Sequence, residues 1–598
     1  MKSLANIAGC VDDIMATCGD HPELLLQYLC RIQWRYNCIP PEAIELLAVR
    51  LGLPVAHIRG VIGFYAFLHE TPRGDFNILV SDSITDQMLG SRALLDSLCR
   101  KLGVQAGVAR ADGRVTVDTT SCTGMCDQGP ALLVNGFALT RLDMARVDAI
   151  AAFVEAGTPV QDWPATFFSV EDNIRRRDRL LNAPRSTDGA LQVFLQQGAD
   201  AVLQTIDRSG LRGRGGAGFK TASKWRFCRQ APGGRRYVVC NADEGEPGTF
   251  KDRVLLNSYA DEVFEGMTLC AGITGAQQGY LYLRGEYRHL LESLESVLAR
   301  RRSAGLLGRD ILGRQGFEFD IAIHMGAGAY VCGEESALIE SLEGKRGIPR
   351  KRPPFPVTQG LRQQPTVVNN VETLFAATYI ARFGADWFRA SGTEQSTGTK
   401  LLSVSGDCAR PGIYEYPLGV TVGQVIEDCG AGHAQAAQLA GAAGTIVPGD
   451  EFDTRISYED VDTGGAFMVF GPERDLLDMV RNFMHFFAHE SCGFCTPCRV
   501  GGTLLKNLVD KVYAGRAGEY DLQKIRDICA LMRDTSHCGL GAATPNPVMS
   551  TLEKFPSIYR RRLCTSDYEP AFDLEAELEE ARRITGRDDS GAHIGRET

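Results

Sequence analysis

The sequence predicts a multidomain α/β protein with helical ends. Three observations carry this: apolar residues recur at helical spacing near both ends, short apolar runs alternate with helical patterns between them, and 598 residues exceed what one core organises. The order expected is N-terminal helices, a small α/β unit, a large glycine-rich α/β domain, a β-rich module and a C-terminal helical bundle.

Residues 1–70 carry LLLQYLCRIQWRY and AIELLAVRLGL, separated by Pro40, Pro41 and Pro54, and read as a helical segment. Over 71–155, NILVSD is a strand, SRALLDSLCRKLGV a helix, RVTVDTTSC a strand, ALLVNGFALT a strand pair and LDMARVDAIAAFVEAG a helix. That alternation over so short a stretch suggests a thioredoxin-like domain. Residues 156–189, with Gly157, Pro159, Pro164 and Pro184, read as a linker. The glycine-rich α/β domain is placed at 190–397, with buried-type strands at YVVCNA and GYLYLRGEY. A β-rich stretch over 398–470 resembles a β-grasp (ubiquitin-like) module. From 471 to 575, DLLDMVRNFMHFFAHE, TLLKNLVDKVYAG and LQKIRDICALMRD predict a bundle, and 576–598 a mobile tail.

Composition is that of an ordinary globular protein, 44% hydrophobic and 23% charged, without the run of about 18 apolar residues that a membrane span needs. No direct membrane anchor is expected. The opening MKSLANIAGCVDDIMATCGD lacks the apolar run of a secretory signal, so a cytoplasmic location is expected. A net charge of -10 argues against nucleic acid as a partner, because phosphate binding relies on basic surface. The 19 cysteines are scattered, and reduced thiols are expected for most. The informative ones are those that cluster.

GLRGRGGAGF spans Gly210 to Phe219 and contains G-x-G-x-x-G at Gly213, Gly215 and Gly218. Its flanks, VLQTIDRSG and KTASKWRF, do not supply the strand and apolar helix of a Rossmann turn. The bare backbone can still lie flat against a planar or phosphorylated ligand; a flexible surface loop is the alternative. In YVVCNADEGEPGTFKDR a buried-type strand runs into Asn241, Asp243, Glu244 and Glu246, which suits the ligand edge of a sheet or, equally, a solvated acidic turn.

Cys492, Cys495 and Cys498 lie in ESCGFCTPCRVGG, and Cys538 follows after 39 intervening residues in TSHCGLGAATPNP. Three cysteines in one turn with a distant fourth suit the separate irons of a cubane better than one zinc, which more often takes two separated pairs. His485, His489 and His537 lie nearby and are not assigned as ligands.

Those motifs, with Lys224 and Trp225, MGAGAYVCGEESALIESLEGKRG, PPFP and PTVVNNVET, closely resemble the NADH-binding flavoprotein subunit of respiratory complex I and its soluble relatives, over about residues 195–565. The resemblance implies FMN, NAD(H) and a [4Fe–4S] cluster as cofactors. It places Gly213, Arg214, Gly215, Gly216, Ala217 and Gly218 around FMN, together with Asn241, Asp243 and Glu244. Tyr330, Gly333, Glu334, Asn369 and Asn370 would complete that pocket. Phe219, Lys224, Phe227, Glu246, Glu335 and Phe355 would hold the nicotinamide cofactor, and Cys492, Cys495, Cys498 and Cys538 the cluster. No side chain is expected to act as acid or base, because hydride passes directly between nicotinamide and flavin.

The first 155 residues resemble the thioredoxin-like [2Fe–2S] subunit of complex I. Its second cysteine pair stands here as Cys122 and Cys126, but Ser81 and Asp86 occupy the first pair's positions. A serine and a carboxylate replace soft thiolates poorly, so a scaffold without its [2Fe–2S] cluster is expected, with a mixed-ligand cluster as the alternative. Cys99, on a helix, is no obvious substitute. Fusion with degraded cysteines resembles the diaphorase alpha subunits of soluble NAD-reducing [NiFe] hydrogenases. That implies an iron–sulfur gamma-type subunit and a [NiFe] hydrogenase module as partners. The alternatives are the flavoprotein subunit of an NAD-dependent formate dehydrogenase or of complex I, and a non-catalytic scaffold.

Overall fold

The computed structural model describes residues 6–564 and 574–588. Four helices open the chain, Ile7–Cys18, Leu25–Tyr36, Pro41–Leu51 and Val55–Ile62. Pro41 begins the third, where its missing N–H costs no intrahelical bond, and Gly52 closes it in left-handed backbone. Strands β1 (Phe76–Ser81), β2 (Val115–Thr120), β3 (Leu132–Val134) and β4 (Phe137–Leu139) form a sheet of order β2-β1-β3-β4. β1 runs parallel to β2 and antiparallel to β3, and helices Ser91–Leu102 and Met144–Ala156 complete a thioredoxin-like domain. Alternation along β1 serves two cores. Ile78 and Val80 face the domain's own helices, whereas Leu79 joins Cys122, Met125 and Cys126 in the core of the central domain.

The stretch expected as a linker is docked rather than free. Trp163 is buried against Phe76 and Phe153, and β5 (Ile174–Arg176) lies beside the β-rich module. Proline and glycine announce irregular backbone; they do not distinguish a packed irregular segment from a loose one.

The central domain is built on β6 (Tyr237–Ala242), β7 (Gln278–Leu283), β8 (Asp320–Met325) and β9 (Thr366–Asn370), all parallel in the order β8-β7-β6-β9. Val238, Cys240, Leu281 and Val367 face helices Ala260–Thr274 and Val371–Phe383. Tyr237, Val239, Tyr282 and Val368 face the other way, onto Leu25, Leu29, Ile44 and Ile58 of the N-terminal helices. Both faces are therefore covered, which is why the strands read as continuous apolar runs. The N-terminal helical segment is a layer of this domain.

β10 (Thr399–Gly406), β11 (Gly412–Pro417), β12 (Ala436–Leu439), β13 (Thr445–Pro448) and β14 (Ala466–Phe470) form, with β5, a sheet of order β13-β12-β14-β10-β11-β5. Helix Val422–Asp428 packs on it, giving a β-grasp-like module. The C-terminal bundle comprises Leu476–Glu490, Thr496–Tyr513 and Glu519–Thr535 with shorter helices after them, around Phe483, Leu505, Val509, Ile525 and Met532. The expected tail is partly helical: LEAELEEARRIT, rich in strong helix formers, makes the helix Leu574–Thr585. Residues 589–598 of that tail lie outside the described residues.

Candidate functional site

β6 is central in its sheet, so Asn241, near the end of the strand, and Asp243 and Glu244 beyond it emerge at the carboxyl edge. The glycine loop reaches this edge from between two helices, Ala199–Ser209 and Thr221–Gln230. No strand precedes it, so the G-x-G-x-x-G spacing is not a Rossmann turn. Arg214 anchors it. That guanidinium is buried and donates to the Thr397 carbonyl (3.1 Å) and the Tyr458 hydroxyl (3.2 Å), while the Arg214 backbone N–H donates to Thr373 Oγ1 (2.9 Å). Gly218 then turns in left-handed backbone at φ 61°, where a Cβ would meet the Tyr458 ring at 2.7 Å.

Gly215, Gly216 and Ala217 are left bare on the wall of a cavity of about 460 Å³. Asn241, Asp243, Glu244, Glu246, Tyr330, Gly333, Glu334 and Asn370 line it from the other sides. Three expected residues stand behind this wall: Gly213, bonded to the Phe219 carbonyl (2.8 Å), Gly218, and Asn369, which accepts from Trp225 Nε1 (2.8 Å). The Arg214 side chain likewise points inward, so only its backbone is near the cavity.

Lys251 and Asp252 line the cavity and were not singled out from sequence, although they follow directly in the same FKDR motif. Lys251 Nζ reaches Asp252 (2.6 Å), Asn370 Oδ1 (3.1 Å) and Glu372 (3.2 Å), and Glu244 accepts from the N–H groups of Asp252 and Arg253. Burial pushes the carboxyls of Glu244 and Glu246 up to about 7 and that of Asp243 well above its usual range. Glu246 is held by the Tyr330 hydroxyl (2.5 Å) and the Ala443 N–H (2.9 Å). Asp243 Oδ2 is buried and receives no hydrogen bond.

Beside the cavity lies an open charged cleft. Glu334 caps the helix Glu335–Leu342, accepting from the N–H groups of Ser336 and Ala337, and so directs Glu335 outward from the first turn. Lys224 Nζ donates to Glu335 (2.8 Å) and to the Val368 carbonyl (3.1 Å). Arg352, also not singled out from sequence, lies 3.2 Å from Glu334 and 3.7 Å from Glu335. Phe219, Phe227 and Phe355 leave about half of their surface exposed, 50%, 49% and 51%. Large rings so open to water are available for stacking.

The four C-terminal cysteines pack together at the head of the bundle. Cys495 precedes the helix Thr496–Tyr513, Cys498 lies in its first turn, and Cys538 precedes the short helix Gly539–Ala543. Helix N-termini favour thiolates. Backbone N–H groups of Leu540 and Gly541 support Cys538, and Ser491 Oγ lies 3.2 Å from Cys498 Sγ, whose thiol burial pushes up to about 11. Gly541 permits the approach of the Cys538 loop: a Cβ there would stand 2.6 Å from Ser536 Oγ and 2.9 Å from Cys498 Cβ. Among the described residues no three His, Cys, Asp or Glu side chains are gathered as for a metal ion. Gly539 and Leu540 also border the 460 Å³ cavity. Of the nearby histidines, His485 bonds Asp510 (3.0 Å) and His537 the Pro349 carbonyl (3.0 Å).

In the thioredoxin-like domain, Ser81 Oγ donates to Asp86 Oδ2 (2.5 Å), as does Ser83 Oγ (2.7 Å), and the Ala131 N–H donates to Oδ1 (3.0 Å). Both oxygens of Asp86 are thereby occupied, and burial pushes its carboxyl up to about 6. Cys122 Sγ and Cys126 Sγ lie 3.2 Å apart nearby. Cys99 is on the helix Ser91–Leu102, packed against the domain's own core.

Four family models match in sequence order: the thioredoxin-like [2Fe–2S] ferredoxin over 11–155, the Nuo51 FMN-binding domain over 206–379, the SLBB domain over 401–448, and the NADH-ubiquinone oxidoreductase-F iron–sulfur binding region over 478–562. Together they define a flavin and iron–sulfur oxidoreductase subunit. An NADH-quinone oxidoreductase subunit of Aquifex aeolicus is 41% identical over 377 residues, 62% of this chain and 88% of that protein. The NAD-reducing hydrogenase HoxS subunit alpha of Cupriavidus necator is 45% identical over 570 residues, covering 93% of this chain and 94% of the relative. A crystal structure of an NAD+-reducing [NiFe]-hydrogenase in the H2-reduced state includes a chain that superposes with a TM-score of 0.89 at 43% identity, over 96% of this chain and all of that one. The chain belongs to the family of NAD-reducing hydrogenase alpha subunits.

Both sites fit the groups this family implies. A glycine-walled cavity with a buried acceptor lacking a donor suits the flat ring and hydroxylated side chain of FMN, and four neighbouring thiols, three of them at helix N-termini, suit a [4Fe–4S] cluster. Among the described residues no helix is long and apolar enough to cross a membrane.

Proposed function

We propose that this chain is the diaphorase subunit of a cytoplasmic NAD-reducing hydrogenase, exchanging electrons between NAD(H) and a cluster on its C-terminal bundle by way of FMN. The observation that carries it is the shared wall: one cavity is bordered by the glycine loop, the acidic end of β6 and the residues that follow Cys538. Flavin chemistry couples the two-electron hydride exchange of nicotinamide to one-electron exchange with iron. The chain's own residues supply position and field. Gly215, Gly216 and Ala217 admit the ring closely; Asn241, Asp243, Glu244 and Asn370 offer polar partners; Glu246 and Tyr330 brace each other beside them. In the cleft, Phe219, Phe227 and Phe355 offer stacking faces for an adenine, and Lys224, Glu335 and Arg352 a charge pattern for its ribose and phosphates. Cys492, Cys495, Cys498 and Cys538 are the ligands assigned to the [4Fe–4S] cluster.

The electrons leave or arrive through a separate iron–sulfur subunit of the gamma type, and beyond it a [NiFe] hydrogenase module. The N-terminal domain holds no [2Fe–2S] cluster in this reading, because Ser81 and Asp86 bond each other where the [2Fe–2S] subunit of complex I has thiols. The test is the purified chain: flavin absorbance that NADH bleaches, and a reduced-cluster EPR signal that Cys538→Ser removes while leaving bleaching in place. A colourless protein would favour a scaffold, and an unchanged signal would exclude Cys538. Mass spectrometry of the native complex identifies the partners, and a formate dehydrogenase or complex I partner would overturn the hydrogenase assignment.

A further inference from the structure

A second cavity, of about 420 Å³, lies between the thioredoxin-like domain, the central domain and the helix Leu476–Glu490. Cys122 lines it, beside Ser121, and at its far side Asp243, Gly245 and Tyr330 border both this cavity and the 460 Å³ one. Cys126 does not line it. It stands directly behind Cys122, with the two sulfurs 3.2 Å apart and both residues buried. The Gly124 N–H points at Cys122 Sγ (3.4 Å). Ser81 and Asp86 are engaged with each other and with Ser83 and Ala131, so they do not compete for these sulfurs.

We propose that Cys122 and Cys126 form a reversible dithiol–disulfide centre, oxidised by hydrogen peroxide that reaches Cys122 through this cavity. The proposal rests on the cluster-free reading of the N-terminal domain. The Cys122 sulfur attacks one peroxide oxygen, the O–O bond breaks, and the departing oxygen takes the thiol proton and leaves as water. The resulting sulfenic acid faces Cys126. Its sulfur displaces the hydroxyl, the S–S bond forms, and a second water carries off the second proton. Two electrons have passed from the sulfurs to the peroxide. Reduced flavins yield peroxide when they meet dioxygen, so FMN held in the 460 Å³ cavity would supply it across the wall that Asp243, Gly245 and Tyr330 share. The oxidation would be felt across that wall, because Arg284 donates both to the Cys122 carbonyl (2.7 Å) and to the Glu244 carbonyl (2.5 Å).

The test uses the full-length chain, with iron and acid-labile sulfide measured on the same preparation. After a small excess of hydrogen peroxide, free thiols are alkylated and the peptide carrying both cysteines is analysed. The expected product has lost two hydrogens, resists alkylation at both positions, stays joined after cyanogen bromide cleavage at Met125, and reverts with dithiothreitol. In Cys126→Ser the sulfenic acid of Cys122 is trapped by dimedone; in Cys122→Ser, Cys126 stays unmodified. Should either variant fail to fold, the parent's peptide map decides alone. Two alkylated cysteines in peroxide-treated protein whose iron and sulfide, before treatment, do not exceed those of the C-terminal [4Fe–4S] cluster overturn the inference and leave the cluster-free reading standing. Iron and sulfide held by Cys122 and Cys126 overturn both.

Discussion

Glu335→Gln is expected to open the nucleotide cleft to NADPH. In the parent, the positive charges of Lys224 and Arg352 are balanced by the negative charges of Glu334 and Glu335, with Lys224 2.8 Å from Glu335. The substitution leaves a net positive charge and frees Lys224 to face an added 2′-phosphate. Lys224 and Glu335 side chains are 18% and 21% exposed, so water screens part of the effect. With an effective dielectric of about 20 to 40, a phosphate of roughly -1.5 charge about 6 Å away gains about 2 to 4 kcal/mol, and allowing for added screening about 1.5 to 3 kcal/mol. That corresponds to roughly 10-fold to 100-fold in NADPH-dependent flavin reduction. NADH loses one charged acceptor for its ribose, about 1 kcal/mol or roughly 5-fold. Stopped-flow bleaching of the flavin with each nucleotide measures both. If the variant excludes NADPH as completely as the parent, selectivity does not reside in this charge balance.

Asp127→Ala strands the buried Arg253 guanidinium 2.8 Å away, with both side chains fully buried, so stability should fall by about 3 to 5 kcal/mol; a loss under about 1 kcal/mol in denaturant titration would refute that. Asp86 has a folded-state value near 6 against about 3.9 unfolded, so the folded protein holds the proton more tightly and loses about 3 kcal/mol of stability as pH rises from about 4 to 6. Asp86→Asn removes that slope; its advantage over the parent should grow across this window and then level off, and a constant difference would sink the assignment. Gly541→Ala should separate Cys538 from Cys498 and reduce iron bound per chain, with overpacking of about 1 to 3 kcal/mol; full iron occupancy would mean that the close approach is dispensable.

The central strands were legible because both their faces are buried: YVVCNA is apolar throughout most of its length and ends where polar residues begin. The thioredoxin-like alternation and the bundle's three- and four-residue spacing were legible for a related reason, a period tied to one buried face. What those faces cover was not. The apolar stripe of LLLQYLCRIQWRY says that something packs on it, and nothing local says that Tyr237 and Val239 do. β5, at three residues, is too short to carry a period. In the site, the glycine loop and acidic strand end were readable as a ligand edge, whereas Arg214, which the resemblance placed around FMN, has its side chain turned inward as a buried anchor of the loop. Arg352 and the bond between Ser81 and Asp86 depend on contacts that one sequence does not display.

The second layer on the central sheet has a consequence for heredity. Four N-terminal helices belong to a region whose two cysteine positions have been replaced, yet their apolar faces shield Tyr237, Val239, Tyr282 and Val368 from water. A deletion that discarded the region as a relic would bare much of one side of the sheet that leads to Asn241 and Asp243. The central domain therefore needs these helices whether or not the N-terminal region holds a cluster. Splitting the gene after residue 155 should give two insoluble products that recover only when made together.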